Sequence, residues 1–265
     1  MVKVHEQDYV KSDPLSLDLY EDILCKAIRL GYDFPTVSEM KSGIDADRRF
    51  LLMRHDIDTS PRHALQMAKV EYRLGVRSSY FVLLHSPFYN PAAPPHWDVL
   101  REIVEMGFEV GLHYDTEFYL HRHIDPLPGI LADVSALEKI LGVSIVSVSQ
   151  HRPASSALFK ELNSLYVDAY NNELMTKVRY VSDSGFKWRG ESLMEILGAE
   201  ERIHALIHPT SWTFGDLDMA CTYRAAKEEL AAEMSDNFEA LIESTNVYLT
   251  NREQLDEARR VQYRG

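Results

Sequence analysis

The stretch that decides the reading is FLLMRHDIDTSPRH, Phe50 to His63. An apolar run, Phe50-Leu51-Leu52-Met53, has the composition of a buried strand and breaks off into Arg54-His55-Asp56-Ile57-Asp58. Pro61 then opens a helical pattern that runs to Leu74 and stops at Gly75, favoured positions for proline and glycine at helix ends. The stretch therefore reads as one βα unit whose polar residues gather where the strand surfaces.

The same order recurs outward in both directions. Helical periodicity is expected over Leu15 to Leu30, Trp97 to Met106, Ile130 to Leu141, Ser156 to Leu165, Ser192 to Leu197, Tyr223 to Ile242 and Arg252 to Val261. Short apolar strands are expected at Ser79 to Leu84, Phe108 to Leu112, Ser144 to Val148, Tyr166 to Ala169, Val178 to Val181 and Ile203 to Ile207. HSPFYNPAAPPH, His85 to His96, holds four prolines in twelve residues and reads as a long surface loop with neither helix nor central strand. Apolar strands alternating with helices are the pattern of a parallel sheet covered on both faces. About seven such units fit a barrel-like closure better than an open sheet, although the count alone does not choose. In either architecture ligands bind at the carboxyl ends of the strands.

Composition narrows the function. The chain has 265 residues, 45% of them hydrophobic, which is ordinary for one α/β domain. A formal net charge of -13 argues against nonspecific binding to nucleic acid or to an anionic membrane. Two cysteines, Cys25 and Cys221, form no disulfide framework and have no metal-type spacing. No secretory signal and no apolar run long enough to span a membrane is visible, so the expected location is the cytoplasm.

Five expected strand ends deliver the chemistry: His55, Asp56 and Asp58; His113, Tyr114 and Asp115, with Glu117 just after; Gln150, His151 and Arg152; Asp183, with Trp188 after it; and His208, with Trp212 after it. Helix capping explains acids at helix starts, and Asp58 before Thr59 and Ser60 is open to that reading. Capping does not explain imidazoles at three further strand ends. In an Asp-x-Asp pair one carboxylate can bind a cation while its neighbour accepts a proton, and histidine supplies nitrogen ligands suited to zinc. Such a cation brings the pKa of bound water toward ~7.

With these residues in place, the chain resembles the polysaccharide deacetylase superfamily, the NodB-homology or carbohydrate esterase family 4-like group. More narrowly, it looks like the branch associated with O-antigen and surface-polysaccharide gene clusters. The resemblance covers about Phe50 to Trp212 and rests on five blocks in order: RHDID, GFEVGLHYDTEFY, HRP at His151 to Pro153, SDSGFKW at Ser182 to Trp188, and LIHP at Leu206 to Pro209. It implies a single deacetylase domain over residues 1–265, built as a distorted (β/α)7-type barrel with a parallel sheet core and extra N- and C-terminal helices. It also implies Asp56 as catalytic base, Arg152 orienting that base, His208 as general acid, and Asp183 tuning its charge. Asp58 and His113 are implied metal ligands of a divalent cation, expected to be zinc. The family's second histidine, four residues after the first, is here Glu117, so the third ligand is either Glu117 or His151. Tyr114, Trp188 and Trp212 are expected near the substrate, with a core role open for both tryptophans.

The function implied is hydrolysis of an N-acetyl group on an amino sugar that is nucleotide-linked, lipid-linked or part of an oligosaccharide, with no nucleic-acid partner and no membrane span. Two other readings stay open: a hydrolase of another non-peptide C–N bond, and a carbohydrate-binding relative that has lost the chemistry.

Overall fold

The structure, a computed structural model, describes residues 15–45, 47–153, 160–215, 217–252, 254, 256, 259 and 260. The chain divides into two compact units, Met1–Met219 and Ala220–Gly265. All five motif blocks lie in the first unit. The second is described through the helix Met219–Thr250, longer at both ends than the expected Tyr223 to Ile242. Parts of the two expected helices Ser156 to Leu165 and Arg252 to Val261 fall outside the described residues.

The first unit holds seven strands: β1 (Phe50–Ile57), β2 (Ser79–Leu83), β3 (Glu109–Tyr114), β4 (Ser147–Gln150), β5 (Val167–Asp168), β6 (Arg179–Ser182) and β7 (Arg202–Ile207). They form one sheet in the order β5-β4-β3-β2-β1-β7-β6, with every pairing parallel. The sheet curls until its edges approach: the Tyr170 ring, just past β5, lies 6.4 Å from that of Tyr180 on β6. This is the distorted (β/α)7 barrel expected of the sequence.

Strand alternation sorts β1 into two faces. Phe50 and Leu52 point into the barrel, where they pack with Phe81, Val167 and Val178 from other strands or their approaches. Leu51 and Met53 point outward onto a layer containing Tyr20, Ile23 and Leu24 of the helix Leu17–Arg29 and Met67 of the helix Pro61–Leu74. Gly111 on β3 is small for a reason: a Cβ there would meet Phe81 Cε1 at 2.4 Å and the Ser147 carbonyl at 2.8 Å.

β1 runs four residues beyond the expected end at Met53, to Ile57. The polar residues do not end the strand because each is partnered in the interior. On the inner face Arg54 pairs with Asp56. On the outer face His55 Nε2 meets Glu71 Oε1 at 2.7 Å, and Tyr20, Ser78 and Tyr80 donate their hydroxyls to the same carboxylate. Glu71 thus ties the helix Pro61–Leu74 to β1 and to the residues around the start of β2.

The proline-rich segment also differs from expectation. Pro94 and Pro95 occupy the first turn of the helix Pro94–Glu105, where a missing N–H has no partner to lose. Prolines 126 and 128 do the same for the helix Pro126–Leu141, whose N-cap is Asp125. Two short helices not expected from sequence, Thr116–Leu120 and Asn172–Thr176, fill the connections after β3 and β5.

Candidate functional site

The exit of β1 is held from several sides. The Ile57 carbonyl accepts a hydrogen bond from Tyr89 Oη at 2.7 Å, and the Asp58 carbonyl accepts one from Ser86 Oγ at 2.9 Å. The Thr59 and Thr210 hydroxyls touch, and His63 Nδ1 bonds Thr210 Oγ1 at 3.0 Å. Asp58 is therefore anchored to the loop after β2 and lies beside the turn after β7.

Three side chains from three strand ends converge here. Asp58 Oδ1 lies 3.3 Å from His113 Nε2 and 3.5 Å from His151 Nδ1, and the two nitrogens are 3.2 Å apart. A tetrahedral ion with ~2.0–2.1 Å bonds has ligand–ligand edges of about 3.3 Å. The observed triangle is of that size. Two further observations fit a cation. Asp58 Oδ1 is buried and, among the described residues, has no hydrogen-bond partner. His113 Nδ1 bonds the Ser149 carbonyl at 2.9 Å, which puts the proton on Nδ1 and leaves the Nε2 lone pair facing the triangle. One carboxylate oxygen and two imidazole nitrogens suit zinc or a similar borderline ion, and three protein ligands leave a fourth position for water or substrate.

Asp56 stands on the inner face of β1, two residues before Asp58, and is buried. Its partner is Arg54: Nε donates to Oδ1 at 3.1 Å and Nη2 to Oδ2 at 2.9 Å. Ser149 Oγ lies 3.3 Å from Oδ1. Burial works to raise the pKa of Asp56, yet the charges of Arg54, His113 and His208 and the Arg54 hydrogen bonds together outweigh it and keep the carboxyl below its ordinary range. Arg54 is itself boxed in, with Nη2 donating to Tyr170 Oη at 2.6 Å and its guanidinium 4.2 Å from the Tyr170 ring centre. Sequence reasoning passed over Arg54, although residues two apart on a strand share a face.

On the other side stands His208, at the end of β7. Its Nδ1 bonds Asp183 Oδ1 at 2.6 Å, while Asp183 Oδ2 accepts from the His208 backbone N–H and from Trp212 Nε1–H, both at 2.8 Å. Asp183 has no exposed surface. Burial disfavours a charged His208, but the Asp183 carboxylate and the Asp58 charge prevail and push its pKa up to about 9. His208 Nε2 reaches to 4.0 Å from Asp58 Oδ2.

The remaining candidates lie elsewhere. Glu117 is exposed in the first turn of the helix Thr116–Leu120, and His151 occupies the third corner of the triangle. Arg152 is exposed with a left-handed backbone (φ 50°), and the guanidinium on Asp56 belongs to Arg54. Tyr114 points away from the triangle into the helix-facing core and donates to Asp168 Oδ2 at 3.0 Å, which leaves it no face for a sugar. Trp212 is fully buried and acts on Asp183 through its indole N–H; Trp188 packs against it at 5.9 Å between ring centres.

No protein-family model matches the sequence, and no curated protein matches it. Among solved structures, the chain is similar to the peptidoglycan deacetylase PdaC from Bacillus subtilis, at 19% identity over 73% of this chain and 87% of that one, with a TM-score of 0.44. It is also similar to the Streptococcus pyogenes deacetylase PplD in complex with acetate, at 13% identity over 72% and 81% of the two chains, TM-score 0.41. The polysaccharide deacetylase Bc1974 from Bacillus cereus matches at 11% identity over 61% and 80%, TM-score 0.42.

Proposed function

We propose that the chain is a metal-dependent hydrolase that removes an N-acetyl group from an amino sugar. The observation that supports this is a triangle of Asp58, His113 and His151 flanked by an ionised acid, Asp56, and by a His–Asp pair, His208 and Asp183. Asp58, His113 and His151 would hold a divalent cation, with zinc the best fit to the donor set, and that cation supplies Lewis-acid activation of water and of the acyl carbonyl.

The protein's own groups divide the proton transfers. Asp56 is ionised at neutral pH and receives the proton given up by the attacking water. His208 carries a proton on Nε2, with Nδ1–H directed at Asp183, and delivers it to the leaving nitrogen. The C–O bond forms, the C–N bond breaks, and acetate and a free amino sugar result. Two groups whose surroundings push their pKa values apart are what acid–base assignment requires.

The substrate we favour is an intermediate of surface-polysaccharide or O-antigen biosynthesis, which the motif resemblance supports; a nucleotide-linked, lipid-linked or oligosaccharide form met in the cytoplasm fits that reading. Among the described residues no helix is long and apolar enough to cross a membrane.

The test is elemental analysis of protein purified without chelator, followed by acetate-release assays on a panel of N-acetylated amino sugars. Bound zinc and acetate release are expected, and His208→Ala should lower turnover by roughly 10²–10⁴ with the metal retained. Metal-free protein that releases acetate from no member of the panel would refute the reading.

A further inference from the structure

The two acids of the Asp-x-Asp pair stand almost equally close to the same ligand nitrogen. His113 Nε2 is 3.3 Å from Asp58 Oδ1 and 3.6 Å from Asp56 Oδ2. Distance therefore does not decide which carboxylate takes a cation at this corner. Their partners differ sharply. Among the described residues Asp58 Oδ1 has no hydrogen-bond partner, whereas both oxygens of Asp56 are occupied by the fork of Arg54. A planar guanidinium matches a carboxylate in this two-point fashion, and a lysine ammonium does not.

We propose that Arg54 assigns the roles of the two acids: by engaging both oxygens of Asp56 it withholds that carboxylate from the cation and leaves Asp58 as the sole carboxylate ligand. Arg54 is thus a positioning residue acting through Asp56. It cannot swing aside, because Tyr170 holds it from the far edge of the curled sheet through a hydrogen bond and through its ring face. The inner face of β1 supplies the clamp and the clamped group from one strand, two residues apart, so their alignment is set by strand geometry and not by a loop. The exposed side chain of Arg152 is left without that duty.

The inference rests on the reading of the triangle as a metal centre, and its test needs no substrate. Metal-free wild type, Arg54→Met, Arg54→Lys and Tyr170→Phe are titrated with Co²⁺, and affinity and visible spectrum are recorded. Loss of the guanidinium removes a unit positive charge and frees a carboxylate beside the site. Arg54→Met should bind Co²⁺ roughly 10- to 100-fold more tightly, with a changed spectrum as Asp56 joins the coordination sphere. Adding Asp56→Asn to that variant should restore the wild-type spectrum.

Arg54→Lys keeps the charge but holds one oxygen, so its affinity should rise less while its spectrum still changes. Tyr170→Phe, which keeps the arginine, covers the case in which Arg54→Met does not fold; it should move the spectrum in the same direction by a smaller amount. In turnover, Arg54→Lys should cost more than Arg152→Lys. A wild type that takes up no Co²⁺ sinks the metal centre and this inference with it. A wild type that binds, with all Arg54 and Tyr170 variants matching it in spectrum, sinks the inference alone, as does a larger turnover loss in Arg152→Lys.

Discussion

Asp183→Asn tests the acid side of the site most directly. Asp183 is buried and accepts three hydrogen bonds: His208 Nδ1–H, the His208 backbone N–H and the Trp212 indole N–H. Its charge is the largest influence holding the His208 proton against the effect of burial, which works to strip it. The resulting pKa of about 9 stands well above the ordinary 6.5, and a gap of that size is worth roughly 3 kcal/mol in favour of the protonated ring. Asparagine keeps the shape and loses the charge. With burial no longer opposed by Asp183, the His208 pKa falls to the ordinary value or below. At pH 8 the protonated fraction then drops from ~90% to ~3%, a loss of roughly 30-fold from titration alone. The sign is fixed by the role: an acid works when protonated, so activity is full below the His208 pKa and is lost as pH rises through it.

A cation bound at Asp58 lowers this alkaline limb in wild type and variant alike, so the decisive quantity is the difference between the two. The assay is acetate release as kcat/KM from pH 5 to 10, with metal content measured for both proteins. An alkaline limb lower by about 2.5 pH units or more in Asp183→Asn is expected. The amide also faces donors on both sides, so a stability loss of ~1–3 kcal/mol accompanies it. Limbs that coincide, in two folded and metal-loaded proteins, would refute the role given to His208 and Asp183.

Two further outcomes follow from the same geometry. His151→Ala removes a corner of the triangle and should cost most of the bound metal by elemental analysis, whereas Glu117→Ala, changing an exposed side chain, should leave the metal content as in wild type. Glu71→Ala strands His55 and three hydroxyls in the core; breaking a buried charged network of this kind costs ~3–5 kcal/mol, read as a fall of about 10 °C in Tm at pH 7. Burial raises the Glu71 pKa, but His55 and the hydroxyl donors outweigh it and keep it below the ordinary 4.5. Its contribution is therefore present above that range and lost as pH falls through it, so the Tm gap should narrow in acid.

The fold was legible wherever apolar periodicity and end signals agreed. The helix Pro61–Leu74 begins and ends where Pro61 and Gly75 place it, and the seven strands fall near their expected positions. Legibility failed where one residue type carries opposite meanings. Proline reads as a breaker, yet Pro94 and Pro95 open a helix because the first turn needs no N–H from them. Charged and polar residues read as surface, yet Arg54, His55 and Asp56 lie inside β1 because each meets a hydrogen-bonding partner there.

The site was legible by residue type and not by partnership. A sequence shows that Asp56, Asp58, His113, His151, Asp183 and His208 stand at strand ends, and the curl of the sheet brings them to one rim. Which groups they engage depends on side-chain direction, and there the alternation of β1 matters most. Arg54 and Asp56 share its inner face, and His55 its outer one, so a run of polar letters splits into an arginine–aspartate pair on one side and a helix anchor on the other. A one-residue slip of β1 would exchange the two sets, placing His55 toward the barrel and Asp56 against the apolar helix layer. The His55–Glu71 contact on the outer face resists the slip that would turn Asp56 outward, since that would set one carboxylate against another. The register that keeps Asp56 beside the triangle is thus guarded by residues that never touch it.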